Sequence, residues 1–470
     1  MKHVNRERIK SIVLIALFII SLIQVGILWS KQSHRLPISF LSGIFSRPRI
    51  PVTDEITRDE LFLPYRLVLS NGEQSHWILD RKDPEYKLLW EETKEYLTAI
   101  LNGNLTLSAA SQESWGDITS KKGFVFEFKT AIRPELLKWF LGDPNSSVEL
   151  PSVYKIMILP DSNNNSLNTI YFYDMNNTNR KIYKYQSREL VRKKSFTEIL
   201  APFQEEGQTA YREYNTMHDS KFDERWDTEP DVLLSTSPAF WPYRIFSCSV
   251  PDRAANEDGL AEALLGSQKE RYVNKKYNDG VIQFNTTENL YKIYPDGTLE
   301  FQNFSEADSG VRGNIGAALL NAYDFIKKAE SVTNRKADIY LSEMELLPNG
   351  AYRFYFDYMV EGYPVHIDVL LADSGDKTTH AVTIEANSRR VLSCRYILRD
   401  FAEAGKNSYY DRFLEVMNDG NISYQQLQIK DIGVGYVMDS IDDGQLEPYI
   451  VLENKGTGLI TKKLDAQKGD

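Results

Sequence analysis

From Ser11 to Ser30 the chain carries no charged residue, and Ile12 to Trp29 (IVLIALFIISLIQVGILW) is apolar almost throughout. Eighteen residues of helix rise about 27 Å, close to the roughly 30 Å of a bilayer's hydrocarbon core. A cleaved signal peptide has a shorter apolar stretch, about 7–15 residues, and small residues at the cut. This run instead ends in Ile27, Leu28 and Trp29 with no A-x-A pattern. It therefore reads as an uncleaved signal anchor. Lys2, Arg6, Arg8 and Lys10 precede it, and Lys31, Arg35, Arg47 and Arg49 follow. The positive-inside bias is modest, and long domains cross the membrane largely regardless of charge. The expected topology has residues 1–11 as a cytoplasmic tail, 12–29 as a single span and the bulk outside the cytoplasmic membrane. A tail of about ten residues holds no kinase or DNA-binding module, so any inward signal passes through another membrane protein.

Inside the span, polar and small residues mark the face expected to meet a partner helix. Hydrocarbon offers nothing to the hydrogen-bonding groups of Ser21 and Gln24. Such residues commonly face another helix, at roughly 0.6–2 kcal/mol per bond. Gly26 and Ser30 make a small-xxx-small pair that permits close approach. The bland alternative has Gln24 near a headgroup, and it leaves the span a plain tether.

The remainder has ordinary globular composition. Of 470 residues, 42% are hydrophobic and 26% charged, which argues against a disordered or polytopic chain. The 55 basic and 66 acidic residues give a net charge of −11. Setting aside the four basic residues and one acidic residue before the span leaves 51 basic and 65 acidic, net −14. Such a surface repels phosphate backbones, so nucleic acid is not an expected partner. Two cysteines, Cys248 and Cys394, exclude a disulfide scaffold and a Cys-rich zinc site. One long-range disulfide and two buried thiols both remain open.

Pattern divides the outer part into a juxtamembrane linker at 30–58 and three α+β units, 59–205, 206–305 and 306–470. In the first, Asp83 then Pro84 starts a helix that carries Tyr86, Trp90, Leu97 and Leu101 and stops at Gly103. Residues 124–128 form a strand, and 153–159 and 170–173 a strand pair across a polar turn. In the second, Leu260–Leu265 is helical, and strands 281–284, 290–294 and 299–301 are joined by turns. In the third, Ser309 is the expected cap of a helix through Ile315, Leu319, Ala322 and Ile326. Tyr352 to Val360 alternates strictly, and Gly362-Tyr-Pro turns the chain. A further helix is expected at Tyr410–Met417. Helix followed by antiparallel meander recurs across the last two units, as an internal structural repeat.

Motifs for chemistry are sparse. There is no P-loop, H-E-x-x-H, G-x-S-x-G or paired C-x-x-C. His366 and Asp368 share a strand face, but two residues are half of a metal or acid–base site. Gly310, Gly313 and Gly316 depart from the dinucleotide fingerprint and fit close helix packing better. Residues 439–444 (DSIDDG) fail as a calcium loop because Ile441 takes a ligand position. Glu91, Glu92 and Glu95 beside Lys94 read as a solvated helix face. No catalytic, cofactor-binding or metal-ligating residue is assigned.

Several stretches together resemble the YycH family of low-GC Gram-positive bacteria. They are Glu7-Arg-Ile-Lys-Ser-Ile-Val-Leu entering the span, residues 65–72 (YRLVLSNG) with His76-Trp77, and Tyr86 to Trp90. Residues 123–128 (GFVFEF), 291–297 (YKIYPDG) and 352–364 follow, then 433–437 (GVGYV) and 446–451 (LEPYIV). Order and spacing carry the likeness over nearly the whole chain. The helix-plus-meander units also resemble PepSY-like modules and the YycI protein. The resemblance implies an α+β body of three extracytoplasmic domains behind one span. It implies a non-catalytic regulator that acts with a YycI-like membrane protein on the sensor histidine kinase of the cell-wall two-component system. Contact is expected largely through membrane helices, here Ser21, Gln24, Gly26 and Ser30, with no cofactor. The rival classes are an extracytoplasmic peptide-binding or protease-inhibitor module of PepSY type, a cell-wall hydrolase, and a ligand sensor with a pocket between domains.

Overall fold

The computed structural model describes residues 58–72, 75–79, 81–103, 106–108, 113–160, 168–174, 181–187, 196–205, 211–213, 227–228, 232–235, 240–251, 257–265, 273–276, 280–305, 314–331, 333, 337–370, 377–410, 428–454 and 458–466. The expected span, its residues Ser21, Gln24, Gly26 and Ser30, and most of the linker lie outside these, as do Ser309, Gly310 and Gly313. Among the described residues no helix is long and apolar enough to cross a membrane.

Within Ile56–Asp470 the described residues form a mixed α+β fold with mostly antiparallel sheets and few helices. The first sheet has nine strands, with Arg66–Asn71, Lys122–Ile132, Val153–Pro160, Asn168–Asp174 and Lys181–Ser187 side by side at its centre. Period-2 alternation gives it two faces. Leu67, Leu69, Phe124, Phe126, Ile156 and Ile158 face the helices in the main core. Val68, Val125 and Met157 face the other way, against Trp115 and Ile118.

Helix Pro84–Leu101 starts at Pro84 and ends before Gly103, whose φ of +75° suits a residue without Cβ. It buries Tyr86, Leu89, Trp90, Tyr96 and Leu97. The Trp90 indole donates to the Phe62 carbonyl at 2.9 Å. One expectation fails here. Glu92 does not belong to the solvated face; it is buried, whereas Glu91 pairs with Lys94 at 2.9 Å. Helix Trp115–Thr119 opens on a capping box between Ser114 and Asp117.

The second sheet has thirteen strands, and helix Ile315–Glu330 packs on it through Ile315, Ala318, Leu319, Ala322 and Ile326. The cap is Asn314, not Ser309: its side chain accepts from the N–H groups of Gly316 and Ala317. Strand pairing runs across residue 305, because Thr298–Asn303 pairs with Val391–Ile397. The alternating strand Tyr352–Val360 buries Phe354, Phe356, Tyr358 and Val360 on one face. Asp357 and Met359, on the other, are buried too. The turn lies at Glu361-Gly362, with Tyr363 and Pro364 already in the next strand.

A third, four-stranded sheet pairs Phe240–Ser249 with Asp400–Tyr410. The helix expected from Tyr410 does not begin there, since Tyr410 closes a strand. Residues 411–417 lie outside the described part. Arg399, fully buried, joins the sheets. Its Nη1 donates to the carbonyls of Asp296 and Leu398 at 2.7 Å, and its Nη2 to that of Ile441. Gly297 makes room for it: a Cβ there would lie 2.7 Å from Nη1. Both cysteines are free and buried. Cys248 meets the Met438 sulfur at 3.8 Å, and burial pushes its thiol up to about 11.

Candidate functional site: a buried charge seam

Strand register brings the charges together. Arg66 lies opposite Glu127, and Glu127 opposite Lys155, so the three form a row across adjacent strands. Their neighbours Leu67, Phe126 and Ile156 point into the main core, so alternation turns the row to the opposite face. Lys129, two residues beyond Glu127, extends it. The second sheet faces this row with Asp431 and Glu453, which are register partners.

The contacts are mutual. Arg66 pairs with Glu127, and with Asp431 at 3.1 Å. Lys155 reaches Glu127 at 3.0 Å. Lys129 pairs with Glu453 and approaches Asp431 at 3.9 Å. The ammonium of Lys129 also lies 4.4 Å from the Tyr65 ring centroid, and Tyr65 packs on Tyr340 at 5.4 Å. Three cations thus meet three carboxylates, each side chain 16% exposed or less. Burying charge costs several kcal/mol per ion, and only close, multiple pairing offsets it.

The electrostatics follow. Burial alone would raise the Glu127 carboxyl, but Arg66 and Lys155 outweigh it and bring it down to about 2. For Glu453, likewise, burial opposes and Lys129 overcomes, so the carboxyl is lowered. Burial pushes the Tyr65 phenol up to about 12. Lys430 is the exception. It sits 5.5 Å from the Tyr154 ring, and burial together with Lys129 lowers its pKa.

A second cluster imitates a catalytic triad. His380 Nδ1 lies 3.1 Å from Asp357 Oδ2 and 3.4 Å from Ser342 Oγ. Both partners share one ring nitrogen. A serine nucleophile needs the base at Nε2 while the acid orients Nδ1, so this geometry does not activate Ser342. Ser342 Oγ instead donates to the Tyr355 carbonyl at 3.1 Å. Burial disfavours the His380 imidazolium, but Asp357 outweighs it and raises the pKa.

The residues singled out by spacing go elsewhere. His366 lies over Gly435, where a Cβ would come 3.0 Å from the ring, and burial lowers its pKa. Asp368 follows the end of that strand, and its N–H donates to the Met438 carbonyl at 2.9 Å. No third ligand joins them among the described residues. Gly316 is a packing glycine: a Cβ there would fall 2.2 Å from the Trp139 ring. The 439–444 turn is held by Asp443, which accepts the Val250 N–H at 2.8 Å, and by the Arg399 contact to Ile441.

No motif carries the seam, because its members span positions 66 to 453. A signal existed all the same. Glu127 is an acidic residue inside an otherwise apolar strand (GFVFEF), and an ionic group there needs a partner.

No family model matches the sequence, and no curated protein matches it. The fold has counterparts. It is a YycH-type α+β fold, shared with a solved structure over most of the chain. The structure in question is the crystal structure of YycH from Bacillus subtilis, at a TM-score of 0.57 and 12% identity, with 86% of this chain and 96% of that one covered.

Proposed function

We propose that this chain is a membrane-anchored, non-catalytic regulator of a sensor histidine kinase that controls cell-wall metabolism, working beside a YycI-like partner. The observation that carries the reading is the likeness of fold to YycH along 86% of the chain. The uncharged run at 12–29 supports a single span, with the N-terminus in the cytoplasm and the bulk outside.

The mechanism is population shift. The span and outer body bind one signalling state of the kinase better than another, and only that difference moves the equilibrium. Ser21 and Gln24 supply hydrogen bonds to a facing helix, and Gly26 and Ser30 the close approach. Charge pairing across the seam favours an outer body whose first and second sheets move as one piece. A hydrolase reading draws no support from Ser342 and His380, since the ring nitrogen facing the serine is the one Asp357 already holds.

Replacing Gln24 by Leu tests the reading. The expected result is weaker co-purification with the kinase or the YycI-like protein, and altered kinase output, while the outer body keeps its melting temperature. Unchanged recovery and output would sink the helix-contact mechanism.

A further inference from the structure

Beside the seam lies a cavity of about 180 Å³, where the Glu361-Gly362 turn and strand Gln428–Met438 meet the start of the first sheet. It exists because one face of that strand is nearly bare. Asp431 and Gly433 alternate onto it at the cavity, and a Cβ on Gly433 would meet no atom within 4 Å. Tyr363 gives an aromatic wall, its ring in edge contact with Tyr243 at 5.5 Å. Ile78 and Met359 add apolar surface.

The cavity is also cationic. Asp431 is the acid among its lining residues, and Arg66 and Lys129 already neutralise it. Arg81 lines the cavity as well. Its Nε donates to the Pro64 carbonyl at 3.1 Å, which anchors the guanidinium, and among the described residues no carboxylate pairs with its terminal nitrogens. The Arg81 guanidinium is held at the cavity wall by that anchor. Its planar fork matches a carboxylate through two parallel hydrogen bonds.

We propose that this cavity is a binding site for a carboxylate carried on a compact apolar body, held by Arg81 with the body against Tyr363 over Gly433. The size agrees, since an apolar cavity of about 150 Å³ accepts a benzene ring. The carboxylate comes from a free small acid or from the C-terminal residue of a peptide; both present the same chemistry. The proposal stands apart from the span contacts, and binding in the outer body can be read without the kinase.

Calorimetric titration of the full chain in nanodiscs tests it, with phenylacetate, N-acetylphenylalanine and the neutral N-acetylphenylalaninamide as probes. Both acids are expected to bind, and the amide at least about tenfold more weakly, as the loss of a charge-assisted pair implies. Tighter binding of N-acetylphenylalanine assigns the site to a peptide end, and tighter binding of phenylacetate to a free acid. Arg81→Gln should weaken both acids at least about tenfold and erase the preference over the amide. Gly433→Leu should fill the cavity and abolish binding; Arg81→Gln, at a half-buried position, carries the test if the leucine variant does not fold. Absence of binding by either acid at millimolar concentration overturns the proposal. So does equal affinity for acid and amide, or unchanged affinity in Arg81→Gln.

Discussion

At the scale of single residues, Glu127 shows how context sets chemistry. It sits between two cations in a nearly dry environment, and its carboxyl is brought down to about 2 against the cost of burial. An unfolded chain titrates Glu near 4.3, so the folded state holds its proton more weakly. The stability this contributes is fully present above about pH 4.3 and is lost as pH falls toward about 2. The size is on the order of 3 kcal/mol, a difference of about two units at about 1.4 kcal/mol each. Melting Glu127→Gln beside the unmodified chain between pH 7 and pH 2 should show a large deficit at neutrality that narrows through this window. A deficit that stays constant down to pH 2 would mean that Glu127 acts through shape rather than charge. The residue was legible in part: an acid inside GFVFEF asks for a partner. Its partners were not, because register across three strands is decided by the whole sheet.

At the scale of elements, the helix at 315–330 sets two effects against each other. Gly316 lies in its first turn, where alanine would favour helix by about 1 kcal/mol. The same Cβ would fall 2.2 Å from the Trp139 ring, and forcing atoms into a packed interior costs typically 1–3 kcal/mol. Packing wins in this balance, so Gly316→Ala should lower the melting temperature. A rise would show that Trp139 yields freely. The helices at 84–101, 257–265 and 315–330 were legible because apolar spacing and, for the first, Asp83-Pro84 and Gly103 act locally. The strand at 400–410 was not. Its sequence, DFAEAGKNSYY, has little β propensity and no alternation, and only Phe401 and Tyr409 are buried. Pairing with Phe240–Ser249 from far away in sequence orders it, and no local pattern announces that. The 315–330 helix takes Asn314 as its cap rather than Ser309, five residues earlier, because both are good caps and only tertiary contact chooses between them.

At the scale of the whole molecule, two features give the account its form. The first sheet and the thirteen-stranded sheet meet through matched charge rather than grease alone, and Arg399 ties the second sheet to the third by holding three backbone carbonyls. Breaking such a buried pair from one side leaves an uncompensated charge, which is why these ties are costly to lose. The α+β class and its likeness to YycH were legible in the order of short strands, turns and helices along the chain. The candidate site was not, since no motif carries it.

The central claim is that the N-terminal span engages a signalling partner in the membrane. A photo-crosslinking amino acid at positions 21 to 28, activated in living cells and read by mass spectrometry, tests it directly. The account predicts adducts to a sensor histidine kinase or a YycI-like protein, strongest on the face of Ser21 and Gln24. Crosslinks to lipid alone from every position would contradict it.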